Sequence, residues 1–372
     1  MSDVAREEPP VRPAHPAHDA VDQAAPVRPG EALDLAALEA YLVAGGLARG
    51  AVRVSQFPRG FSNLTYLVEA DDEAWVLRRP PAGVGKGVAH DVVREARLLQ
   101  ALAPVFSRVP RVVAVCDDPS VLGVPFYLMT RAHGIILRDR PPAAWAGDAT
   151  IARRVSLAAI RTLAEVHAVD VYATGLEGIG HPDGYVARQV HGWRRRYEAT
   201  RTGAQPALEQ VAAWLEAHQP ADGAAALVHN DFKYDNLVLD PADPSRVVAV
   251  LDWEMATVGD PLLDLGTTLA YWVEAGDPPA LRAIGLGVTT LPGTLTREEV
   301  VAEYAARTGR PVAHAIFAYA FGLYKVAVIV QQLYARFVAG HTYDARFARL
   351  DRVVSALGDA AADAIARDRL AP

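Results

Sequence analysis

The stretch LVHNDFKYDNLVLD, residues 227–240, places a group of polar and charged side chains between two short apolar runs. They include His229, Asp231, Lys233, Asp235 and Asn236. Burying such groups without partners is costly, because each loses its hydrogen bonds to water. The stretch is therefore either an ordinary polar turn or the place where a charged ligand is held.

The apolar runs around this stretch predict a metal site. LVL (237–239) and VVAVL (247–251) are joined by DPADPSR, which is typical of a turn. If the two runs pair as antiparallel strands, Asn236 before the first lies beside Asp252 after the second. One carboxylate and one amide oxygen suit Mg²⁺, which prefers oxygen ligands. Asp231, on the loop leading in, then remains free to accept a proton from a hydroxyl group.

A second group of polar residues lies nearer the N-terminus. Glu95 falls on the apolar stripe of a predicted helix over residues 88–102, where a carboxylate needs a cationic partner. Alternation along the strand AWVLRRP puts Arg78 on the same face as Val76, so Arg78 is the natural partner. Such a pair would leave guanidinium donors for phosphate oxygens. A plain salt bridge that supports the helix explains the pattern equally well.

The segment PRGFSNLTY, residues 58–66, is a weaker signal. Gly60 allows close approach of a ligand, and Ser62 and Asn63 offer donors beside backbone N–H groups, an arrangement that can cover phosphates. An ordinary hairpin turn accounts for the same residues.

Strand patterns predominate before residue 131 and helical patterns after it. We expect a flexible tail over 1–30, an N-lobe over 31–130 with an antiparallel sheet and one inserted helix, and a mainly helical C-lobe over 131–372. In the C-lobe only NLVLD and RVVAVL read as strands. The fold class is therefore α+β with two lobes. The longest apolar run, AIFAYAFGLYKVAVIV, contains Lys325 and predicts a buried helix too short to span a membrane.

Composition excludes several classes of function. The chain has 372 residues, a formal charge of −7 and a pI near 5.9, which argues against binding to nucleic acid or anionic membranes. Its single cysteine, Cys116, cannot form an internal disulfide and is expected in the core. The N-terminal segment lacks the apolar core of a signal peptide, so a cytoplasmic location is expected. The sequence predicts no oligomeric state.

Four segments together resemble a known family. HNDFKYDN resembles the His-x-Asp-x-x-x-x-Asn catalytic loop of kinase-like phosphotransferases, and LDWEMATVGDPLLDLG resembles the metal-binding segment of aminoglycoside phosphotransferases and choline kinases. VLRRPP with REARLLQAL resembles their strand-lysine and helix-glutamate pair, and MTRAHGIIL their hinge. Four segments in the correct order are specific, whereas a lone His-x-Asp is not. VLRRPP and QVHGWRRRYEAT look most similar to the kinase-like domains associated with acyl-CoA dehydrogenases.

The resemblance implies a bilobal protein-kinase-like fold that binds ATP and Mg²⁺. Asp231 would be the catalytic base and Lys233 would steady the transferring phosphate. Asn236 and Asp252 would bind Mg²⁺. The residues that would contact or support the nucleotide are Arg78, Glu95, Ser62, Asn63, Thr130 and Ala132.

Among these nucleotide-binding residues, Arg78 would hold the α- and β-phosphates with Glu95 behind it. The Thr130 carbonyl and the Ala132 amide would hydrogen-bond adenine. His229 and Asp264 would brace the catalytic loop. His167, near a helix end, is expected to cap or pack rather than to catalyse.

This sequence departs from the family pattern at two positions. Arg78 stands where the broader family usually has lysine, which puts its donor geometry in doubt. Glu254 replaces the glycine of protein kinases, as is common in the branch that acts on small molecules.

The resemblance and the charge pattern together favour a small-molecule substrate. Residues 261–372 contain 11 acidic and 11 basic side chains. This part of the chain therefore lacks the acidic excess that would complement a polycationic aminoglycoside. We expect an ATP- and Mg²⁺-dependent O-phosphotransferase for a small hydroxylated molecule; the most similar domains imply a hydroxyacyl-CoA. An aminoglycoside antibiotic kinase and an inactive nucleotide-binding module are the alternatives. WRRRYEATR either grips an anionic substrate or is a solvated helix face.

Overall fold

The computed structural model describes residues 23–58, 63–81, 91–138, 140–284, 288–340 and 345–372. The strands are β1 Val52–Gln56, β2 Leu64–Ala70, β3 Glu73–Arg79, β4 Val112–Cys116, β5 Phe126–Thr130, β6 Ala226–Val228, β7 Leu237–Leu239, β8 Val247–Val250 and β9 Thr257–Gly259. The α-helices are α1 Leu35–Ala44, α2 Val92–Leu102, α3 Pro119–Leu122, α4 Ala149–His167, α5 Tyr185–Thr200, α6 Pro206–Ala217, α7 Pro261–Tyr271, α8 Pro279–Ile284, α9 Arg297–Thr308, α10 Ala315–Val338 and α11 Leu350–Arg367.

The N-terminal lobe is built on an antiparallel sheet of strand order β1-β2-β3-β5-β4. Strand β3 pairs with β2 and β5, so Arg78 lies opposite Tyr127 near the centre of the sheet. One face of the sheet packs with Leu38 and Leu42 of α1, and the other face, which includes Val76, joins the core that continues into the C-lobe. The predicted α+β class, with a small antiparallel sheet and a larger helical part, is confirmed.

Helix α2 begins later than the sequence predicts. Its N-cap is Asp91, whose carboxylate accepts the Arg94 N–H at 2.9 Å, and the first helical residue is Val92 rather than residue 88. Residues 82–90 lie outside the described residues. The Arg94 guanidinium donates to the carbonyl oxygens of Ala256 at 2.7 Å and Ile179 at 3.2 Å. Arg94 therefore fastens α2 to the C-lobe.

The described part of the N-terminal segment contacts the edge of the sheet. Residues 1–22 lie outside the described part of the chain, but Ala25 and Gln56 exchange backbone hydrogen bonds of 2.8 and 2.7 Å. Ala25 is therefore attached to strand β1, and the tail predicted over residues 1–30 stays a prediction. A single backbone bridge to an edge strand leaves no side-chain pattern, so the sequence could not reveal it.

The C-lobe contains two strands that the sequence did not predict. Strands β6 and β9 pair antiparallel, with Val228 opposite Thr257. Each has three residues, which is too short to display the two-residue period of a strand. The predicted pairing of β7 with β8 is confirmed, with Leu237 opposite Val250. The two small sheets place the segments after β6 and β8 close together.

The connection between the lobes is attached to the β7–β8 hairpin. Ile135 and Leu239 exchange backbone hydrogen bonds of 2.9 and 2.8 Å. Gly134 allows this approach, because a Cβ atom there would lie 2.3 Å from the Leu239 carbonyl oxygen. The division of the lobes at residues 130 and 131 stays a prediction, since the core runs continuously across it.

Helix α10 is the long apolar helix that the sequence predicts, but it is longer than the apolar run AIFAYAFGLYKVAVIV on which that prediction rests. Its 24 residues are long enough and apolar enough to cross a membrane, whereas the sequence reading made it too short. The helix extends past the apolar run to Val338, and 72% of its most apolar window is buried inside the protein. This burial favours the core of a folded lobe, as predicted.

Helices α7 and α10 cross with their backbones in direct contact. A Cβ atom at Gly322 of α10 would lie 2.1 Å from the Gly266 carbonyl oxygen of α7, and a Cβ atom at Gly266 would lie 2.0 Å from the Ala318 carbonyl oxygen. No side chain can be accommodated at either glycine without moving the helices. The crossing therefore fixes the distance between two helices that carry polar side chains toward the segment after β6.

We expect Gly322→Ala to lower the free energy of unfolding by about 3 kcal/mol, because the added methyl group forces the two backbones apart. Urea unfolding followed by circular dichroism measures the change. Gly203→Ala is the matched control, since a Cβ atom at Gly203 meets no atom within 4 Å. Equal unfolding midpoints for the two variants would contradict the close crossing.

Candidate active site

The loop between β6 and β7, residues 229–236, is held by one buried carboxylate. Asp264, in the first turn of α7, accepts the backbone N–H groups of His229 and Asn230, each at 2.7 Å. His167 lies 3.0 Å from the same carboxylate through Nε2. Burial opposes ionisation, but the hydrogen bonds from His167 and the loop lower the pKa of Asp264, so it stays charged. The geometry agrees with the predicted bracing role of Asp264.

His167 has a more specific place than the sequence suggested. It is buried at the end of α4, and its Nδ1 lies 2.7 Å from the Tyr304 hydroxyl. His167 is packed in the core, as expected, and its partner is Asp264 rather than a helix terminus. The link spans nearly 100 residues of sequence, so no local pattern could show it.

His229 links the same loop to the end of β8. Its Nε2 donates to the Leu251 carbonyl oxygen at 3.0 Å, and its Nδ1 accepts the Asp231 N–H at 3.3 Å. Burial lowers the pKa of His229, which keeps the ring neutral and able to accept through Nδ1. The ring therefore orients the backbone at Asp231 rather than exchanging protons there.

The Asp231 carboxylate is surrounded by three donors. Lys233 Nζ lies 2.8 and 3.0 Å from its two oxygens, the Tyr271 hydroxyl donates to Oδ1 at 3.0 Å, and Asn236 Nδ2 donates to Oδ2 at 3.0 Å. Burial opposes the charge on Lys233, but Asp231 outweighs it and raises the pKa of the ammonium. Tyr271, at the end of α7, was not identified from the sequence, because only the tertiary fold brings it to the loop.

Asn236 and Asp252 start from neighbouring backbone positions, as the hairpin predicts. The Leu251 N–H donates to the Asn236 carbonyl oxygen at 2.8 Å, one residue before Asp252. Asp252 has a positive φ of 66°, a conformation that costs a residue other than glycine about 1–3 kcal/mol and is often retained at functional sites. The strain turns the chain sharply at the end of β8.

The residues present fit a divalent cation. The Asn236 amide nitrogen is engaged by Asp231, which leaves its oxygen as the atom for a cation, and Asp252 supplies a carboxylate. Among the described residues, no group of three or more His, Cys, Asp or Glu side chains could hold a metal. Two protein oxygens plus phosphate oxygens and water are what Mg²⁺ takes in nucleotide sites. The role of Asn236 and Asp252 stays a prediction.

Arg78 contacts three carboxylates, of which Asp252 and Glu254 belong to the C-lobe. Its Nε lies 3.2 Å from Glu95, its Nη2 lies 2.8 Å from Glu254, and Nη2 also contacts Asp252. The predicted pairing with Glu95 is confirmed. The prediction that this pairing leaves the guanidinium donors free is wrong for Nη2, because the long side chain reaches across to the C-lobe. Burial alone would lower the pKa of Arg78, but Asp252 and Glu95 raise it well above its usual value.

The two departures from the family pattern are in direct contact. Glu254 Oε2 accepts from Arg78 at 2.8 Å and from Asn63 Nδ2 at 2.7 Å. Both partners belong to the N-terminal lobe, and all three side chains are buried. Glu254 therefore joins the segment after β8 to the strand and the turn that were predicted to face phosphates.

The remaining predicted nucleotide contacts are placed as follows. Thr130 ends β5, and its Oγ1 accepts the Arg111 N–H at 3.0 Å. Ala132 packs with Ile136 and Val238 beside the β7–β8 hairpin. Ser62 lies outside the described residues. Asn63 uses its amide on Glu254, as described above. Their roles toward a nucleotide stay predictions.

Comparison with known proteins identifies the family. The profile of the phosphotransferase enzyme family matches residues 53–298. The chain belongs to this family.

Two relatives illustrate how far the likeness reaches. Acyl-CoA dehydrogenase family member 10 of Mus musculus is 35% identical over 352 residues, which cover 94% of this chain and 33% of that protein. A crystal structure named as a candidate aminoglycoside phosphotransferase from Ralstonia eutropha is 31% identical, with a TM-score of 0.73, and covers 89% of this chain and 99% of that one. The chain thus spans about a third to two fifths of the length of the curated relatives it matches.

A third comparison shows the fold alone. Aminoglycoside phosphotransferase APH(4)-Ia, solved as a ternary complex with AMP-PNP and hygromycin B, is 17% identical to this chain with a TM-score of 0.54. It covers 89% of this chain and 98% of that one. These comparisons support a small-molecule phosphotransferase with the protein-kinase-like fold of the family.

We expect Arg78 and Glu254 to behave as one unit in this phosphotransferase. In a double-mutant cycle of Arg78→Lys and Glu254→Gln, the free energies of unfolding should couple by about 1–2 kcal/mol, because each single change leaves a buried partner without its bond. The cycle of Arg53→Lys and Glu69→Gln is the control, since that exposed pair is 3.9 Å apart and should couple by less than about 0.5 kcal/mol. Additive effects at Arg78 and Glu254 would contradict the link between the lobes.

Proposed function

We propose that this chain transfers the γ-phosphoryl group of ATP to a hydroxyl group of a small molecule, with Asp231 as the catalytic base. The observation that carries the proposal is the Asp231 carboxylate, which is held by Lys233, Tyr271 and Asn236 within 3.0 Å. These donors fix the carboxylate in one orientation on a loop whose sequence, HNDFKYDN, resembles the catalytic loop of kinase-like phosphotransferases. Positioning and charge stabilisation are the main contributions of a protein to phosphoryl transfer.

The acceptor hydroxyl gives its proton to Asp231, and its oxygen forms a bond to the γ-phosphorus as the bond from that phosphorus to the bridging oxygen breaks. ADP leaves with the bridging oxygen. Lys233, whose ammonium stays charged beside Asp231, is placed to offset negative charge on the transferring group.

Mg²⁺ is the proposed metal, and when bound it would neutralise charge on the phosphates. Asn236 and Asp252 are the residues proposed to hold it. The surrounding charge supports a divalent cation, because one guanidinium, that of Arg78, faces the carboxylates of Glu95, Asp252 and Glu254. The nucleotide is proposed on the ground that a protein of the same fold, APH(4)-Ia, was solved with AMP-PNP.

The acceptor is proposed to be a hydroxylated small molecule, with a hydroxyacyl-CoA as the specific candidate. That candidate is proposed because this chain is similar to proteins named acyl-CoA dehydrogenase family members 10 and 11, of which it spans 33% and 38%. An aminoglycoside remains the second candidate, because the Ralstonia eutropha structure carries that name. The balanced charge of residues 261–372 favours the first.

We expect Asp231→Ala to retain ATP binding and to lose turnover by about 10²–10⁴-fold, since the variant lacks the group that accepts the proton. ATP affinity is measured by calorimetry with Mg²⁺, and turnover by ADP release with the acceptor. Asp243→Ala, on the exposed turn between β7 and β8, is the control and should leave both unchanged. Full turnover in Asp231→Ala would remove Asp231 from the mechanism.

A panel of four acceptors should separate the candidate functions. We expect ATP-dependent phosphorylation of a hydroxyacyl-CoA, and none of the matched acyl-CoA that lacks the hydroxyl group, when products are followed by mass spectrometry. The free hydroxy acid tests whether coenzyme A contributes to binding, and kanamycin tests the aminoglycoside alternative. ATP binding with no phosphorylated product from any hydroxylated compound would favour the inactive nucleotide-binding module.

A further inference from the structure

Lys325 is a buried cation in the middle of the most apolar helix of the protein. It lies in α10 among residues such as Val326 and Ala327, and its side chain is 2% exposed. Removing an ammonium group from water is unfavourable unless its environment compensates for the lost hydration. No step of the proposed reaction uses Lys325, so its presence requires another explanation.

The contacts of Lys325 point to the catalytic loop. Its Nζ donates to the Asn230 carbonyl oxygen at 2.5 Å and lies 3.4 Å from the Thr267 hydroxyl oxygen of α7. The ring of Trp193 lies 5.8 Å from Nζ, within reach of a cation–π interaction. Among the residues that the structure describes, no carboxylate lies within ion-pair distance of it. Its strongest partner is therefore the backbone of the residue before Asp231.

Asn230 is held on every side. Its φ of 66° is a left-handed conformation, its N–H donates to Asp264 at 2.7 Å, and its side-chain Nδ2 donates to Met255 O at 3.1 Å and lies 3.1 Å from the Tyr185 hydroxyl. The Asn230 Oδ1 accepts from the Tyr185 hydroxyl at 3.3 Å, and Lys325 binds the backbone carbonyl oxygen. These bonds compensate the strain of the left-handed backbone.

The carbonyl oxygen of Asn230 and the N–H of Asp231 belong to one peptide unit, which is planar. Lys325 holds the carbonyl end of this unit at 2.5 Å, and His229 Nδ1 holds the N–H end at 3.3 Å. Fixing both ends fixes the plane, and the plane sets the direction in which the Asp231 side chain leaves the backbone. Replacing Lys325 frees one end.

We propose that Lys325 is a positioning residue for Asp231, which acts by fixing the peptide plane between Asn230 and Asp231. The proposal rests on the proposed function, in which Asp231 is the base. It adds a residue of α10, nearly 100 positions away in sequence, to the machinery of the loop. The close crossing of α7 and α10 at Gly266 and Gly322 brings Lys325 to that position.

The electrostatic surroundings add a pH dependence. Burial is the main cause that lowers the pKa of Lys325, to about 8; Lys233 and Arg196 lower it further, while Asp264 and Asp231 raise it. Because the folded-state pKa lies below the usual 10.5, deprotonation becomes easier in the folded protein, and the burial penalty disappears as pH rises. The titration of Lys325 should therefore not lower the free energy of unfolding above pH 8. Turnover should fall above this pH, because the charged hydrogen bond from Lys325 to the Asn230 carbonyl oxygen is lost.

The test compares two substitutions on the same helix. We expect Lys325→Met to lower kcat by about 10²-fold, the effect of a displaced catalytic group, with ATP affinity within twofold of the original. Gln331→Met is the matched control: Gln331 is equally buried, but its amide binds Thr200 O at 2.8 Å and Thr202 Oγ1 at 3.0 Å, away from the loop. Gln331→Met should leave kcat within twofold.

Two further readouts separate positioning from a merely structural role. Lys325→Arg should restore part of kcat and move its alkaline decline from about pH 8 to higher pH, since guanidinium stays charged. Hydrogen exchange of the Asp231 amide should accelerate at least tenfold in Lys325→Met and remain unchanged in Gln331→Met.

These measurements distinguish failure of the positioning role of Lys325 from failure of the proposed phosphotransferase function. Unchanged hydrogen exchange in Lys325→Met overturns the positioning role, as does a kcat within twofold of the original in an active enzyme. An alkaline decline that stays near pH 8 in Lys325→Arg also overturns it. Accelerated exchange in a protein that phosphorylates no acceptor supports the fixed peptide plane and refutes the proposed function instead.

Discussion

The site depends on a single buried carboxylate, that of Asp264. It is fully buried, yet it accepts two backbone N–H groups of the loop and contacts His167. A carboxylate in such a place is stable because charge-assisted hydrogen bonds replace its hydration. In return, the loop is fixed where an isolated polar stretch would be mobile. The loop that carries the polar residues of the 227–240 stretch is therefore held by helix α7, which follows it in sequence.

Much of this arrangement could be predicted from short patterns. The β7–β8 hairpin follows from two apolar runs and a turn, and the pairing of Arg78 with Glu95 follows from two periodicities that place both on a core-facing side. What the sequence could not show depends on contacts between distant elements. Tyr271 reaches Asp231, and His167 reaches Asp264, only after α4 and α7 have packed. Strands β6 and β9 and a single backbone bridge at Ala25 were not predicted, because their residues show no two-residue period of burial.

Arg78, which stands where the broader family usually has lysine, and Glu254, which replaces the glycine of protein kinases, are direct partners. Arginine at position 78 carries more donors on a longer side chain than lysine, and alone it would bring an extra buried donor to the interface of the lobes. Glu254 accepts from that donor and from Asn63 at once. The contact between Arg78 and Glu254 therefore connects the sheet of the N-lobe to the segment after β8. Neither residue can be interpreted without the other.

Helix α10 shows why composition alone misleads about the role of an element. By length and hydropathy it could cross a membrane, and Gly322 and Lys325 would be unfavourable residues in such a span. In the folded lobe both are required by α7 and its neighbours: the glycine lets the α7 backbone approach, and the lysine then reaches the loop that α7 braces. An apolar helix buried on nearly all sides can carry a cation only where fixed dipoles replace water. The carbonyl oxygen of Asn230 is such a dipole, so the packing of the core and the orientation of Asp231 are set by the same contact.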